Sequence, residues 1–143
     1  MALLNVVGLM AAALVSPDVA PPDGSDVVLP AAIAAHVPKN LRGYYVVFLV
    51  NPPTPKDMSH ELFLRHQAYL RKHVEAGVIK LAGPLTDDAR IRGMKILSAP
   101  SAEAARAIAE GDPAVQAGVF AVEVHPAMFP SLGGLKIEYG PKQ

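Results

Sequence analysis

Four short apolar runs, separated by longer polar and amphipathic segments, organise the chain from residue 44 onward. The first run, Tyr44–Val50 (YYVVFLV), is aromatic and β-branched without polar alternation, which predicts a central strand buried on both faces. The other runs are bounded by Gly, Pro or polar residues and predict further strands. They are Val78–Leu81, Gly93–Ser98 and Val119–Val124, the last of which is expected to end at His125-Pro126.

A helical repeat fills the segment between the first two strands. Thr54 is one candidate start, because a proline and an aspartate follow it, and Ser59 is an alternative cap. The helix is predicted to run to about Ala76 and to end at Gly77, a residue type that favours this position. The apolar stripe that we expect to face the core consists of Phe63, Leu70 and Val74.

The remaining elements complete a βαββαβ order. Ala82–Leu85 is expected to bend away from the second strand, so that the second and third strands form a hairpin with a long loop. Ser101 caps a second helix, Ala102–Glu110, which Gly111 closes. Asp112-Pro113 then opens a short helical turn. This order predicts a ferredoxin-like α+β fold, in which both helices cover one face of an antiparallel sheet.

The two ends of the chain lie outside this predicted domain, which spans residues 44–130 and is followed by a C-terminal tail, residues 131–143. Residues 1–43 are interpreted as a weak export leader, an arm that packs on the domain or its dimer mate, or a disordered tail. Their apolar run, Leu3–Val15, is too short for a membrane-spanning helix, which needs ~20 residues, and no Lys or Arg precedes it. A cytoplasmic location is favoured, with export as the alternative if residues 1–20 act as a leader. This arm or a second copy of the chain is expected to cover the bare face of the sheet.

Composition narrows the classes of function. Thirteen basic residues balance thirteen acidic ones and form no long run, so nothing indicates a nucleic-acid partner. The chain has no cysteine, which excludes a disulfide framework, a thiolate nucleophile and a cysteine-based zinc site. Neither a P-loop nor a GxGxxG spacing is present, so no phosphate-binding loop is expected.

Two residues have the chemistry for proton transfer, His66 on the first helix and Asp112 before the short helical turn. A neutral imidazole can exchange a proton near neutral pH, and a nearby carboxylate would orient one ring nitrogen and make the other more basic. Asp112 can supply that carboxylate only if the end of the second helix approaches the first. The structural alternatives are a half-buried His66 bonded to a backbone carbonyl and an Asp112 that caps the turn that Pro113 begins.

Further polar residues could assist such a pair. Tyr69, one turn after His66, could donate a hydrogen bond to a developing oxyanion, or pack its ring at the helix–sheet edge. His73 shares a helix face with His66 but lies too far along the helix for both to chelate one metal, so no metal site is predicted. Arg90 and Arg92, in the predicted hairpin loop, could hold an anionic substrate or lie in solvent.

A series of short motifs runs through the domain in a fixed order. They are His66-Gln-Ala-Tyr69-Leu-Arg, Glu75-Ala-Gly77, Leu81-Ala-Gly83-Pro84-Leu85, Ser101-Ala-Glu-Ala-Ala105, Gly111-Asp112-Pro113 and Ala117-Gly118-Val119. Their combination, between about Tyr44 and Phe129, resembles the YciI-like (YCII-related) proteins. The resemblance implies a dimeric α+β barrel related to muconolactone isomerase and an active site built from a His and an Asp, here His66 and Asp112. It also implies that some relatives act as lyases or dehydrochlorinases on aromatic compounds.

These observations lead to one functional hypothesis and one rival. The hypothesis is a cofactor-independent acid–base enzyme of the lyase, isomerase or dehydrochlorinase type, acting on a small, partly apolar molecule that is aromatic or lactone-like. His66 would shuttle a proton, Asp112 would orient it and stabilise the imidazolium, and Tyr69 would polarise a carbonyl. The rival is a non-enzymatic, dimeric small-molecule-binding or accessory protein in which His66 and Asp112 are structural.

Overall fold

The computed structural model describes residues 23–87 and 89–141. Its elements are, in chain order, β1 (Ser25–Asp26), α1 (Ala31–Ala34), β2 (Leu41–Val50), α2 (His60–Glu75), β3 (Ile79–Pro84), β4 (Ile91–Leu97), α3 (Ala102–Glu110), α4 (Pro113–Gln116) and β5 (Ala121–Pro130). Within these ranges no helix is long and apolar enough to cross a membrane. The predicted βαββαβ unit corresponds to β2, α2, β3, β4, α3 and β5, with the short helix α4 before the last strand.

The four long strands form one antiparallel sheet in the order β5-β2-β4-β3. The strand β2 is central, since β5 pairs with it along its whole length and β4 pairs with it from Tyr45 to Val50. The two-residue strand β1 pairs with β2 at Arg42 and Gly43. This strand order, with a helix in each crossover, confirms the predicted ferredoxin-like α+β fold.

Side-chain caps fix where both long helices begin. Ser59 Oγ accepts a hydrogen bond from Leu62 N at 3.1 Å, so Ser59 is the cap of α2 and the alternative start at Thr54 is wrong. Beyond the end of α2, Gly77 has φ 71°, a left-handed conformation that favours glycine, as predicted. The predicted cap of α3 is also confirmed, because Ser101 Oγ accepts a hydrogen bond from Ala104 N at 3.1 Å.

Both faces of β2 are buried, as its sequence predicted. On one face Val47 packs against Ala105 and Ala109 of α3, and Leu70 and Val74 of α2 cover the same cluster. Burying these side chains supplies the main driving force for docking the two helices on the sheet.

The opposite face of the sheet carries a second apolar cluster. Tyr44, Val46 and Ile96 are buried there, and Phe129 and Leu132, near the C-terminal end, pack against them. The helices therefore pack on one face of the sheet, and Leu132, which follows β5, covers part of the other.

One predicted core residue is wrong. Phe63 keeps 44% of its surface exposed, whereas Leu70 and Val74, farther along the same stripe, pack on the core as expected. The reason is its place in the first turns of α2, which lie over a cavity rather than over side chains of the sheet.

Two predicted strand ends are also wrong. The strand β3 continues through Gly83 to Pro84, and β5 continues through His125-Pro126 to Pro130. Both are the outer strands of the sheet in the described part of the chain, and an outer strand tolerates proline because one row of its N–H groups needs no partner in the ladder.

The described end of the N-terminal segment is tied to the domain through Asp23. Tyr44 Oη lies 2.7 Å from Asp23 Oδ1, and the Ser131 hydroxyl also donates to this carboxylate. The backbone adds a bond from Gly24 N to Ser98 Oγ at 3.1 Å. We call the group formed by Asp23, Tyr44 and Ser131 the Asp23 cluster. Residues 1–22, which hold most of the predicted arm or leader, lie outside the described residues, and the domain boundaries stay predictions.

Candidate functional site

The structure brings together the two residues proposed for proton transfer. His66, in the second turn of α2, is buried, and its Nδ1 lies 2.8 Å from Asp112 Oδ1 and 2.9 Å from Oδ2. The end of α3 delivers Asp112 to this position, because α4 packs against α2. The approach of the two helices that the pairing requires is therefore present.

Asp112 is also the cap of α4. Its side chain is 0% exposed, and Oδ1 accepts a hydrogen bond from Ala114 N at 3.0 Å, while Pro113 occupies the first helical position. The capping interpretation and the pairing with His66 are thus compatible, since one carboxylate serves both. The cap in turn fixes the orientation in which the carboxylate meets the imidazole.

A third charged residue, which the sequence did not single out, completes the cluster. Lys95 of β4 donates from Nζ to Asp112 Oδ2 at 2.6 Å, and its side chain is only 3% exposed. One signal was available: Lys95 is a lone charge within the apolar end of the strand, where Met94 precedes it and Ile96 follows. A lysine is almost never fully buried unless it is paired.

The neighbours of Asp112 determine the protonation state of its carboxyl group. Burial raises the pKa of the Asp112 carboxyl, but the hydrogen bond from His66 and the charge of Lys95 outweigh burial and lower the pKa below its ordinary value. Asp112 is therefore ionised at neutral pH. When the imidazole is neutral, an ionised carboxylate favours the tautomer that carries its proton on Nδ1, and Nε2 then has a free lone pair.

A cavity of about 380 Å³ opens onto His66, a volume within the usual range for small-molecule sites. Its apolar lining comes from Leu49, Met58, Phe63, Leu70, Ala82, Pro84, Met94 and Phe120. Its polar lining comes from His66, Gln67, Arg92 and Lys95. The Phe120 ring lies beside the imidazole, with the ring centroids 6.3 Å apart. The arrangement offers a proton acceptor at the wall of a largely apolar chamber.

Tyr69 is placed differently from the other two predicted site residues. Its hydroxyl donates to the carbonyl oxygen of Ile108 at 2.7 Å, and the residue does not contribute to the lining of the His66 cavity. Burial and the nearby charge of Asp112 raise the pKa of Tyr69, so it stays a neutral donor. The structure thus brings Tyr69 to the end of α3, next to the segment that carries Asp112.

Of the other polar residues that the sequence suggested for the site, one lines the cavity and the others do not. Arg92 lies in β4 and lines the cavity, whereas Arg90 forms a 2.5 Å ion pair with the partly exposed Glu123. His73 Nδ1 is bonded to a carbonyl of its own helix, that of Tyr69, at 2.9 Å. Among residues 23–87 and 89–141, no group of three or more His, Asp or Glu side chains could hold a metal ion.

The sequence model of the YCII-related domain matches residues 44–127, a range that contains His66, Lys95 and Asp112. The chain belongs to the YCII-related family. Among solved structures, this member of the family is similar to 5-chloro-2-hydroxyhydroquinone dehydrochlorinase from Burkholderia phenoliruptrix AC1100, in complex with 2,5-dihydroxybenzoquinone, at 26% identity. That match covers 57% of this chain and 90% of the dehydrochlorinase, with a TM-score of 0.40. No curated protein matches the chain significantly.

Proposed function

We propose that this YCII-related protein is a cofactor-independent acid–base enzyme, of the lyase or isomerase type, acting on a small, partly apolar organic molecule. The single observation that carries the proposal is the geometry of His66. Its Nδ1 is held 2.8 Å from a buried, ionised Asp112, while the same ring lines a cavity of about 380 Å³. A histidine that is oriented by a carboxylate and faces a ligand-sized cavity has the arrangement of a general base.

In the proposed reaction, His66 Nε2 takes a proton from the substrate and returns it to another atom or to the leaving group. Asp112 selects the tautomer that leaves Nε2 unprotonated, and its negative charge stabilises the imidazolium that forms. Lys95 compensates the charge of Asp112 in the resting state, which makes a buried carboxylate tolerable at this position. Apolar side chains around the ring exclude water and strengthen these interactions.

We assign Tyr69 a positioning role in this mechanism, rather than the polarisation of a carbonyl. Its hydroxyl proton is directed to Ile108 O, so it bonds the end of α3 to the middle of α2. This bond lies one helical turn from His66 and a few residues before Asp112. It therefore helps to keep the imidazole and the carboxylate in register.

The test combines ligand binding with a variant that removes only the proposed base. His66→Asn retains an N–H donor that can face Asp112 but lacks the Nε2 atom. We expect small phenols and lactones to shift the ¹⁵N signals of the wild-type His66 ring, and turnover of any compound in the panel to be lost in His66→Asn. The matched control is His36→Gln, at an exposed histidine that follows α1. If no compound perturbs His66, or if His66→Asn turns over substrate as the wild type does, the non-enzymatic interpretation replaces this one.

We also propose that the protein is a homodimer that packs sheet against sheet. The supporting observation is the face of the sheet opposite the helices, where Phe48 and Met94 stay only partly buried and His125 lies 5.8 Å from the Phe48 ring. Sedimentation velocity tests this assembly. Phe48→Glu should yield a monomer, whereas Leu64→Glu, on the exposed side of α2, should leave the dimer intact. A monomeric wild type would contradict the proposal.

A further inference from the structure

The residues that line the His66 cavity include two basic ones, Arg92 and Lys95, and, within the described part of the chain, no acidic one. From this lining we infer that the substrate is a small anion with an apolar body, such as an aromatic carboxylate or a phenolate, and that Lys95 binds its charged oxygen. The inference rests on the proposed function and narrows its substrate class. It separates anionic aromatic compounds from neutral lactones, which the sequence left as alternatives.

The first argument comes from the donors of Lys95. An ammonium group has three N–H donors, and one of them is used at 2.6 Å on Asp112 Oδ2. The side chain is 3% exposed and also lines the cavity, so water has little access to the other two. Within the described part of the chain, Lys95 Nζ makes no other hydrogen bond. A negatively charged oxygen in the cavity is the partner that such donors bind most strongly.

The second argument comes from the position of Asp112. Its carboxylate contacts two lining residues, His66 and Lys95, but it is 0% exposed and does not itself line the cavity. Its oxygens already accept from His66, Lys95 and the backbone of Ala114. A ligand therefore meets the cationic side of this cluster, and the carboxylate does not repel an anion by direct contact.

The third argument comes from the rest of the lining. Arg92 is a second basic residue at the border of the same cavity, whereas Leu49, Phe63 and Phe120 are apolar. A ligand that matches this distribution carries its charge toward β4 and its apolar body toward α2 and the start of β5. The charge fixes the orientation, and it thereby decides which carbon-bound or oxygen-bound proton faces His66 Nε2.

Benzoate and benzamide form a matched pair of probes, because they have nearly the same shape and only benzoate is charged at pH 7. Isothermal titration calorimetry should show that benzoate binds the wild type at least ~10-fold more tightly than benzamide. The double variant Lys95→Met with Asp112→Asn removes both members of the buried ion pair and so leaves no uncompensated charge. In it the preference for benzoate should fall below ~3-fold.

A surface lysine provides the control. Lys72→Met removes an exposed positive charge from α2 and should retain the full preference for benzoate. The anion inference is overturned if benzamide binds the wild type as tightly as benzoate, or if the preference survives in the double variant. If benzamide alone binds and shifts the His66 ring signals, the proposed function stands and only the substrate class is wrong. If neither probe nor any phenol or lactone shifts those signals, both proposals fail.

Discussion

Two aspartates of this protein, Asp112 and Asp23, each lie beside a lysine but in different surroundings. Asp112 is fully buried, and Lys95 Nζ is 2.6 Å from its carboxylate. Asp23 keeps 24% of its side chain exposed, and Lys80 Nζ is 3.7 Å away. In both cases hydrogen bonds and the lysine lower the pKa of the carboxyl although burial opposes this.

The other partners of the two carboxylates explain what each arrangement can do. Asp112 holds the ring of His66, an imidazole that lines a cavity. Asp23 holds the hydroxyls of Tyr44 and Ser131, which connect the N-terminal segment, the sheet and the C-terminal segment. An Asp–Lys pair alone therefore does not indicate a site for proton transfer. The two clusters differ because only Asp112 is bonded to a histidine that lines a cavity.

The largest effect is expected from Asp112→Ala. This change leaves the Lys95 ammonium buried without its carboxylate and removes the cap of α4, so the free energy of unfolding should fall by about 3–5 kcal/mol. Urea denaturation at pH 7 measures it. Asp57→Ala, at an exposed aspartate before α2, is the control and should change stability by less than about 0.5 kcal/mol. A loss for Asp112→Ala no greater than that for Asp23→Ala would contradict the contrast between the two clusters.

The second effect is a loss of stability at acidic pH. Because the pKa of Asp112 is lower in the folded than in the unfolded protein, its stabilising contribution is complete above the unfolded value, about 4, and is lost as the pH falls through the folded value. The free energy of unfolding should therefore decrease below about pH 4, by up to about 1.4 kcal/mol per pH unit for this group. Urea denaturation between pH 7 and pH 3 should show a shallower decrease in the Lys95→Met, Asp112→Asn double variant. Equal slopes in the two proteins would exclude Asp112 as a source of the acid sensitivity.

The difference between the clusters also shows what could be predicted from sequence. The cap of Ser101 and the stripe of Leu70 and Val74 depend on neighbours in sequence, so local patterns predicted them correctly. Asp112 has a local signal as well, since it precedes a proline that begins a helical turn. Its contact with His66 is a tertiary contact across 46 residues, and it was expected only through the resemblance to the YCII-related family.

Residues whose environment depends on distant elements were missed or misplaced. Lys95 was treated as an ordinary strand residue, because its carboxylate partner comes from another part of the chain. Pro126 was expected to end a strand, because the sequence does not reveal that β5 is an outer strand. Phe63 follows the helical repeat, but the repeat does not show that a cavity lies beneath it. In each case the error arose because residues that are distant in sequence determine the environment of the side chain or the end of the strand.

The third effect tests how α2 and the segment of Asp112 are held in register. A Cβ atom at Gly111 would lie 2.5 Å from Tyr69 Oη, although the backbone of Gly111, at φ −73°, suits any residue. We expect Gly111→Ala to cost about 1–3 kcal/mol in the wild type and clearly less in the Tyr69→Phe background, where the hydroxyl is absent. Urea denaturation of the four proteins gives the coupling energy. Additive effects of the two changes would rule out this contact as the constraint on Gly111.

The smallest effect is expected at the Asp23 cluster. Asp23→Ala removes the carboxylate that accepts from Tyr44 and Ser131. The buried Tyr44 hydroxyl keeps the backbone carbonyl oxygen of residue 23 as an acceptor at 2.9 Å, and Ser131 is exposed to water, so the free energy of unfolding should fall by only about 1 kcal/mol. The same variant should bind benzoate as the wild type does and keep the ¹⁵N signals of His66 unchanged, because no described residue of the Asp23 cluster lines the His66 cavity. If Asp23→Ala instead weakened benzoate binding several-fold, the two clusters would be coupled through the sheet. The N-terminal segment would then belong to the functional site rather than only to the scaffold.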